Sequence, residues 1–451
     1  MNKFIHFKKI YNKYMNTVIT LDNLHKKFPD KFNEQDLNLM CLKNYAFQYK
    51  SPLLNRLPMT ETGMYLLVGG KLLGKTTLLK QWIAKLLETG ISPDVITFFP
   101  GKVIKTSGEM IQLFKAQFSK RSITKEYIVI DDINYINDWN KVLTWMISNH
   151  LIHQSIIILA SGNINIYKQI KKSCTDIKDK NCFHLYPLSF RETVILKHPS
   201  QPVKSINLLN EFNSYLLHGG YLPAIHDVTT TGKISDKTST LYVNGVINEL
   251  LLLGKHKNYI HEILIYIIHH YLTLVSLNGL VKELSIEHPK TIGNYLDVLA
   301  AIDVLFVQSA LIEDKLTPAP KKARKLIFSD PFILHAMRAF ISSKEYPEME
   351  LYKMLDYPDL CTSLVKTCVI SHFQQHYPTY YIKDEGEVDL AYITNQRFWP
   401  IIISWANQLR SKDIKQIVKY ANGKILTKSE QGSSIENIKT ESLLQVLWNL
   451  G

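Results

Sequence analysis

The stretch of sequence at positions 69–76 reads Gly69-Gly70-Lys71-Leu72-Leu73-Gly74-Lys75-Thr76. It matches the pattern G-x-x-x-x-G-K-[ST], a loop whose glycines let the backbone curl so that its N–H groups converge on phosphate oxygens. An apolar stretch at 64–68 precedes the loop, and a stretch with helical spacing follows it at 76–87. Because phosphate binding requires this order of strand, loop and helix, we predict that residues 69–76 and the adjacent Thr77 bind the phosphates of ATP.

Two side chains of this loop have separate predicted roles. The ammonium group of Lys75 supplies a mobile positive charge for the β- and γ-phosphates. The hydroxyl group of Thr76 is a hard oxygen ligand that suits Mg²⁺. Because a helix is expected to begin at Lys75, the positive end of the helix dipole faces the bound anion. The segment therefore predicts ATP and Mg²⁺ as its ligands.

Short apolar stretches alternate with helical stretches between residues 63 and 195. They are rich in branched and aromatic residues, lack polar alternation, and lie at 65–68, 95–99, 127–130 and 156–160. Strands that are buried on both faces have this composition, which indicates a parallel sheet covered by helices. The alternation predicts an α/β fold, a P-loop NTPase core with helices on both faces of the sheet, over residues 51–198.

An acidic pair, Asp131 and Asp132, ends one of these apolar stretches. A carboxylate at the end of so apolar a strand needs a partner, and we predict that Asp131 holds Mg²⁺. Asp132 is placed to polarise the attacking water, so we predict a catalytic role; the alternative is that it caps the next helix. Ser161 and Asn163 follow the next strand and are candidates to contact the γ-phosphate or the water, the alternative being simple turn residues.

Several segments together resemble a group of uncharacterised prokaryotic ATPases of the AAA+ superfamily, which carry a winged helix and a C-terminal domain of unknown function. The typical loop of that group, G-P-R-x-x-G-K-T-T-L-L, corresponds to residues 69–79, and its D-E-I-Q corresponds to 131–134. Its L-P-L-S-F-R-E is the most diagnostic block and is matched at 185–192. Its G-G-x-P is matched at 219–223 with one extra residue. The resemblance covers about residues 50–450.

The resemblance implies a core of the ASCE type and assigns further roles. Residues 161–163 would correspond to the sensor segment, with Asn163 as a catalytic residue. Arg191 would either sense nucleotide charge or tie the core to the lid, and a role across subunits would require an oligomer. The usual catalytic glutamate is replaced by Asp132, which is one methylene shorter. Because a misplacement of about 1 Å can cost about 100-fold in rate, we predict slow hydrolysis.

The rest of the chain is predicted to add helical and mixed domains to the core. Residues 1–50 and 199–256 have mainly helical patterns, and we interpret them as an N-terminal helical segment and a helical lid. Residues 257–345 are predicted to form a winged helix. Residues 346–451 have a mixed pattern and are predicted to form a small α/β domain.

The winged-helix prediction rests on residues 279–296, which have the pattern of a helix-turn-helix. Lys290, Thr291 and Asn294 lie near the start of its second helix, where base edges are read in proteins of that kind. Nearby acidic residues dilute the positive charge of this face. Direct DNA binding and packing as a lid or against a partner both remain open.

The C-terminal domain resembles degenerate restriction nucleases. Such nucleases need an acid on one strand, then an acid and a lysine one residue apart on the next, to hold Mg²⁺ and activate water. Asp389, in Glu387-Val388-Asp389, supplies the first acid, but Ile402 and Ser404 occupy the positions of the second acid and the lysine. We therefore predict an inactive domain that binds a protein partner.

Composition limits the class of protein. The 451 residues carry a net charge of +13. A basic surface of this kind can attract nucleic acid; the alternative is that the positive side chains are only solvated. The apolar runs are too short for a membrane span, and no secretory signal is expected. The five cysteines have neither zinc spacing nor a disulfide framework, which predicts a cytoplasmic protein with reduced thiols.

These observations predict an ATPase that works as a nucleotide-dependent regulatory switch. The alternatives are a DNA-associated ATPase that uses the winged helix and the basic surface, and a nuclease gated by ATP. The missing lysine at position 404 speaks against the nuclease.

Overall fold

The computed structural model describes residues 22–118, 125–173, 178–341, 357–405, 414–429, 434–435 and 438–451. Contacts divide the chain into two units, Met1–Leu185 and Tyr186–Gly451. Residues 1–21 of the predicted N-terminal helical segment lie outside the described residues, as does the predicted domain boundary at 345–346. No helix among the described residues is long and apolar enough to cross a membrane.

The apolar stretches of the first unit form a parallel sheet. In its described part the strands are β1 (Gly63–Val68), β2 (Ile96–Pro100), β3 (Glu126–Asp131), β4 (Ser155–Ser161) and β5 (Cys182–His184). Their order across the sheet is β2-β3-β4-β1-β5, and all neighbours are parallel. The predicted α/β fold with a parallel sheet is confirmed. The edge strand β5 was not predicted, because three residues are too few to show a pattern.

Helices surround this sheet. They are α1 (Leu24–Lys27), α2 (Phe32–Gln35), α3 (Leu37–Lys43), α4 (Lys75–Glu88), α5 (Ser107–Phe118), α6 (Trp139–Ser148), α7 (Leu151–Gln154) and α8 (Asn165–Ser173). Ile128 of β3 belongs to the same buried cluster as Phe114 of α5 and Val142 of α6. The neighbouring Tyr127 contacts Trp82 of α4, with ring centroids 6.0 Å apart. Because successive side chains of a strand point to opposite faces, helices cover both faces of the sheet.

The second unit begins with a long run of helices. Its described helices are α9 (Phe190–Lys197), α10 (Leu208–His218), α11 (Leu222–Thr231), α12 (Asp236–Leu252), α13 (Lys257–His269), α14 (Leu277–Glu283), α15 (Pro289–Ala301), α16 (Pro331–Ile341), α17 (Pro358–His376) and α18 (Leu443–Leu450). The predicted helix-turn-helix falls on α14 and α15. An antiparallel pair follows, formed by β6 (Leu305–Ser309) and β9 (Arg324–Phe328), with the short strands β7 (Leu311–Ile312) and β8 (Thr317–Pro318) between them. The winged-helix assignment stays a prediction.

The remaining strands of the second unit form a mixed sheet. They are β10 (Thr379–Lys383), β11 (Glu387–Thr394), β12 (Arg397–Ser404), β13 (Lys424–Thr427), β14 (Ser434–Ile435) and β15 (Ile438–Ser442). Within the described residues their order is β10-β11-β12-β13-β15-β14. The sheet is joined to the β6–β9 pair: Gln308 donates hydrogen bonds to the main-chain oxygens of Tyr380 and Asp389, and Lys325 pairs with Glu387. The β6–β9 pair therefore supports this sheet.

Candidate functional site

The loop predicted to bind phosphate lies between β1 and α4, as its sequence pattern requires. Strand β1 ends at Val68, and helix α4 begins at Lys75. Gly74, the residue before the helix, has a φ of 89°, a left-handed conformation that glycine adopts without steric cost. Leu72 also has a positive φ of 60°, so the loop curls twice within three residues. The first turn of α4 therefore opens directly onto the loop.

Lys75 is held within the loop. Its Nζ donates hydrogen bonds to the main-chain oxygens of Gly69, at 2.7 Å, and Gly70, at 2.8 Å. The residue is 7% exposed. The buried ammonium group is therefore positioned by the carbonyl groups of the same loop, next to the start of α4.

Thr76 and Asp131 meet at the end of β3. The Thr76 hydroxyl donates to Asp131 Oδ2 at 2.6 Å. Burial raises the pKa of Asp131 to about 6, and the neighbouring Asp132 adds to this, while Thr76 and Lys75 act in the opposite direction. The sequence placed these two side chains at the end of one strand and the start of one helix, and the structure brings them into contact.

The chemistry of this pair fits Mg²⁺. A threonine hydroxyl and a carboxylate are the hard oxygen ligands that Mg²⁺ prefers, and the ion commonly takes its other ligands from phosphates and water. Among the described residues there is no group of three or more His, Cys, Asp or Glu side chains that could hold a metal ion by itself. Thr76 and Asp131 are the residues that would hold Mg²⁺ at this site.

Asp132 forms an ion pair with a residue that the sequence interpretation did not select. Its Oδ2 lies 2.7 Å from Lys102 Nζ. It occupies the position before a short 3₁₀ helix, Ile133–Tyr135, with a φ of 50°, but its side chain makes no capping hydrogen bond there. Burial alone would raise the pKa of Asp132, but Lys102, Lys75 and Lys71 outweigh it and the pKa is lowered. The Asp132 carboxylate therefore lies in a positively charged environment.

The position of Lys102 follows from a tight turn after β2. The main-chain N–H of Gly101 donates to Asp131 O at 2.8 Å. A Cβ atom at position 101 would lie 2.5 Å from the main-chain oxygens of both Asp131 and Asp132, so only glycine fits. The next residue, Lys102, therefore starts beside the acidic pair. Register pairs Pro100 with Asp131, and because this pairing of strands is not visible in the sequence, no sequence signal identifies Lys102.

Ser161 and Asn163 take part in the turn after β4. Ser161 is fully buried, and its hydroxyl donates to Asn134 Oδ1 at 3.2 Å. Asn163 donates its main-chain N–H to Ser161 Oγ, and its side-chain oxygen accepts from the N–H of Asn165 at the start of α8. These bonds form the turn, as in the alternative interpretation, while a catalytic role for Asn163 stays a prediction.

Arg191 belongs to the second unit, where it contacts the C-terminal helix. Its Nη1 donates to the main-chain oxygen of Gly451 at 3.0 Å, and its guanidinium carbon lies 5.6 Å from the centroid of the Trp448 ring. The helix that carries it begins with a capping box between Ser189 and Glu192. The contact with α18 was not predicted, and the proposed roles of Arg191 toward nucleotide or lid stay predictions.

The acids of the C-terminal sheet are neutralised by lysines. Asp389 pairs with Lys366 of α17 and accepts a hydrogen bond from the main-chain N–H of Ile403 at 2.9 Å. Glu387 pairs with Lys325, whose side chain is 4% exposed, and with Lys383. The lysine beside Asp389 therefore comes from a helix and not from strand β12.

One residue predicted to read bases is used within the fold. Asn294 accepts a hydrogen bond from Lys255 Nζ at 2.9 Å, and the same ammonium group lies 4.7 Å from the centroid of the Tyr295 ring. Lys290 and Thr291 lie in the first turn of α15. Their predicted contact with DNA stays a prediction.

Two family models each match a part of this chain. Residues 61–194 match the family described as AAA domain, and residues 209–344 match a domain of unknown function (DUF8612). The second match covers the predicted lid and winged helix but not the C-terminal sheet. No curated protein matches this chain.

Solved structures that match this chain include three with low sequence identity. A RuvB variant of Thermotoga maritima is 16% identical, with 59% of this chain and 84% of that chain covered and a TM-score of 0.30. The ORC1 protein of Aeropyrum pernix in complex with DNA is 10% identical, covers 64% and 88%, and has a TM-score of 0.32. A STAND protein with a tetratricopeptide repeat sensor from Pyrococcus horikoshii is 10% identical, covers 72% and 48%, and has a TM-score of 0.27.

Proposed function

We propose, from the AAA domain that residues 61–194 form, that this protein binds ATP with Mg²⁺ and hydrolyses it slowly as a nucleotide-dependent regulatory switch. The observation that carries the proposal is the contact between the Thr76 hydroxyl and Asp131 Oδ2, beside a loop whose lysine is already buried and oriented. These groups combine the oxygen ligands for a metal ion with the positive charge for a phosphate tail.

Binding in this proposal depends on exchange of partners by Lys75. In the structure its ammonium group rests on two loop carbonyls, and phosphate oxygens are stronger acceptors for a charged donor. The N–H groups at the start of α4 are directed toward the same region. Thr76 and Asp131 would hold Mg²⁺, which supplies positive charge to neutralise the phosphates.

Hydrolysis in this proposal depends on Asp132. An ionised carboxylate at this position would orient a water molecule toward the third phosphate. Its ion pair with Lys102 competes for the same oxygen atoms, and its side chain is shorter than that of a glutamate. Both features favour slow turnover, which suits a protein whose state depends on the nucleotide that it holds.

Calorimetric titration with ATP in the presence of Mg²⁺ tests the proposal. We expect saturable binding by the wild type and a loss of affinity of about 100-fold or more in Lys75→Ala, because a buried charge–phosphate contact is lost. Lys85→Ala removes a half-exposed lysine of the same helix, which donates a hydrogen bond to Asn55, and it should bind like the wild type. The absence of binding by the wild type would refute the proposal.

The switch itself needs a second measurement. Hydrogen exchange of residues 358–451 should differ between the ADP-bound and ATP-bound protein if the nucleotide changes the state of the C-terminal part. Identical exchange in both states would leave a nucleotide-binding protein without a switch. The Lys75→Ala variant gives the matched control, because added nucleotide should not change its exchange.

A DNA-associated ATPase is the second candidate. The observation that favours it is the exposed pair Lys321 and Lys322 before β9, in a chain with a net charge of +13. Duplex DNA should then stimulate ATP turnover, and its affinity should fall steeply as the salt concentration rises. The double variant with Lys321→Glu and Lys322→Glu should lose this stimulation and keep its basal turnover. Turnover that ignores DNA would exclude this candidate.

A further inference from the structure

Two lysines surround Tyr135 at the acidic end of the candidate site. Lys71 Nζ lies 3.2 Å from the Tyr135 hydroxyl and 5.1 Å from the centroid of its ring. Lys102 Nζ lies 5.5 Å from the same centroid and 2.7 Å from Asp132 Oδ2. The phosphate-binding pattern requires only the lysine at position 75, so these two ammonium groups are additional to it.

The two additional lysines belong to elements that are fixed at the site. Lys71 is part of the phosphate loop itself. Lys102 directly follows Gly101, whose main-chain N–H is hydrogen-bonded to Asp131 O, so its backbone begins beside the acidic pair. Its side chain is 57% exposed, whereas that of Asp132 is 9% exposed. The ammonium group therefore reaches from solvent onto a buried carboxylate and can change partner without a change of backbone.

The acid that Lys102 contacts follows directly after the proposed Mg²⁺ ligand, Asp131. In the proposed function the third phosphate of ATP lies beside the water that Asp132 orients. That phosphate adds negative charge close to a carboxylate, and two anions at short range repel each other unless a cation lies between them. Lys102 contacts Asp132 directly, and the charges of Lys75 and Lys71 also act on this carboxylate.

We propose that Lys71 and Lys102 are ligands of the third phosphate, so that this site discriminates a nucleoside triphosphate from a diphosphate. The inference rests on the proposed function, because it needs a phosphate tail in the loop. Lys75 and the loop N–H groups hold the phosphates that ATP and ADP share. The Lys102 ammonium group contacts both Asp132 and the third phosphate. The Lys71 ammonium group contacts both the Tyr135 hydroxyl and the third phosphate.

Titration with two nucleotides tests this inference. Each variant is titrated with Mg²⁺ and ADP, and separately with Mg²⁺ and the slowly hydrolysed analogue ATPγS. In Lys102→Gln and in Lys71→Gln we expect affinity for ATPγS to fall about tenfold, the effect of one lost charge-assisted hydrogen bond. Affinity for ADP should stay within about twofold of the wild type. Lys115→Gln, which removes an exposed lysine of α5, should change neither value.

A double variant separates a phosphate ligand from a residue that only neutralises Asp132. If Lys102 acted only on the carboxylate, then removal of that charge in Lys102→Gln with Asp132→Asn would restore ATPγS affinity. We expect no restoration, because the phosphate still lacks its ligand. Restoration, or an equal loss for ADP and ATPγS, would overturn the inference. A wild type that binds neither nucleotide would instead refute the proposed function.

Discussion

Lys80 directs its ammonium group into the interior of the first unit, where Nζ lies 3.4 Å from Asp36 Oδ2. The same atom lies 3.5 Å from Asp22 Oδ1 and 3.9 Å from the centroid of the Phe98 ring. Lys80 belongs to α4, the helix that begins at Lys75 in the loop predicted to bind phosphate. Its side chain has no exposed surface. One buried cation therefore connects the helix of the proposed phosphate site to residues that precede the segment matched by the AAA-domain model.

Replacement of Lys80 by methionine should destabilise the first unit. The variant keeps most of the side-chain volume but leaves Asp36, whose side chain is 4% exposed, without its cation. Loss of one partner from a buried ion pair costs about 3 kcal/mol of the free energy of unfolding. Urea unfolding of the full chain measures the change. Lys85→Met, on the exposed part of the same helix, should cost less than about 1 kcal/mol. Equal losses of unfolding free energy in the two variants would contradict the expectation that the buried position of Lys80 causes the larger cost.

The contact between Thr76 and Asp131 predicts how ATP affinity depends on Mg²⁺. In the wild type, Mg²⁺ should strengthen ATP binding, and in Asp131→Asn most of that gain should disappear because a neutral amide is a poorer ligand. Thr76→Ser keeps the hydroxyl and should retain the gain, whereas Thr76→Ala should not. Calorimetric titrations of ATP, with Mg²⁺ and with a chelator, measure this gain in affinity. A gain that survives in Asp131→Asn would show that the ion is held elsewhere.

Asp132→Glu should raise the turnover of ATP. The longer side chain moves the carboxylate by about one methylene toward the water that it is proposed to orient, and geometry of that order changes rates by about 100-fold. We expect a rise of at least about tenfold in steady-state phosphate release. Asp132→Asn should abolish turnover while ATP still binds. If Asp132→Glu left the rate unchanged, the shorter acid would not be the cause of slow hydrolysis.

The parts of the site that the sequence could predict are those that depend on neighbours in the chain. Lys75 and Thr76 follow from an eight-residue pattern, and Asp131 follows from its place at the end of an apolar strand. Lys102 and Tyr135 have no such pattern. Lys102 reaches the acidic pair because β2 lies beside β3 in the sheet, and strand order is not visible in the sequence, whereas Tyr135 lies on the short 3₁₀ helix that follows Asp132.

The fold also has parts that the sequence predicts and parts that it does not. Strands β1 to β4 of the parallel sheet were predictable because they are apolar on both faces. Helix α17 was not, because its 19 residues mix Thr, Ser, Cys and His with apolar residues on almost all sides and show little helical periodicity. The contact of Arg191 with Gly451 joins residues 260 positions apart, and no local pattern indicates it.

Asp330 should make the stability of the second unit depend on pH. It is buried and accepts hydrogen bonds from the main-chain N–H groups of Gly220, at 2.9 Å, and Phe332, at 2.8 Å. Burial raises its pKa to about 7 although both bonds lower it. Because this pKa exceeds the unfolded value, 3.8, the contribution of Asp330 to stability is complete below about pH 4 and is lost as pH rises through about 7.

The difference between the wild type and Asp330→Asn isolates this effect. Between about pH 4 and pH 7 the wild type should lose about 1.4 kcal/mol of unfolding free energy per pH unit relative to the variant. The buried histidines of the same unit, such as His218 and His372, have lowered pKa values and act in the opposite direction, but they are present in both proteins. Parallel pH profiles of the two proteins would show that Asp330 is charged in the folded state.

The ion pair between Asp389 and Lys366 should stabilise the C-terminal sheet. The side chain of Asp389 is 5% exposed, and both of its oxygens are occupied, by Lys366 and by the N–H of Ile403. Lys366→Met leaves the carboxylate buried without a cation and should cost about 3 kcal/mol of unfolding free energy. Lys383→Met, which removes a lysine with a half-exposed side chain from Glu387, should cost less than about 1 kcal/mol.

Plasmid cleavage with Mg²⁺ should be absent in the wild type, because Ile402 and Ser404 supply neither an acid nor a lysine. Cleavage by the wild type that disappears in Asp389→Ala would show instead that this domain is an active nuclease that depends on Asp389.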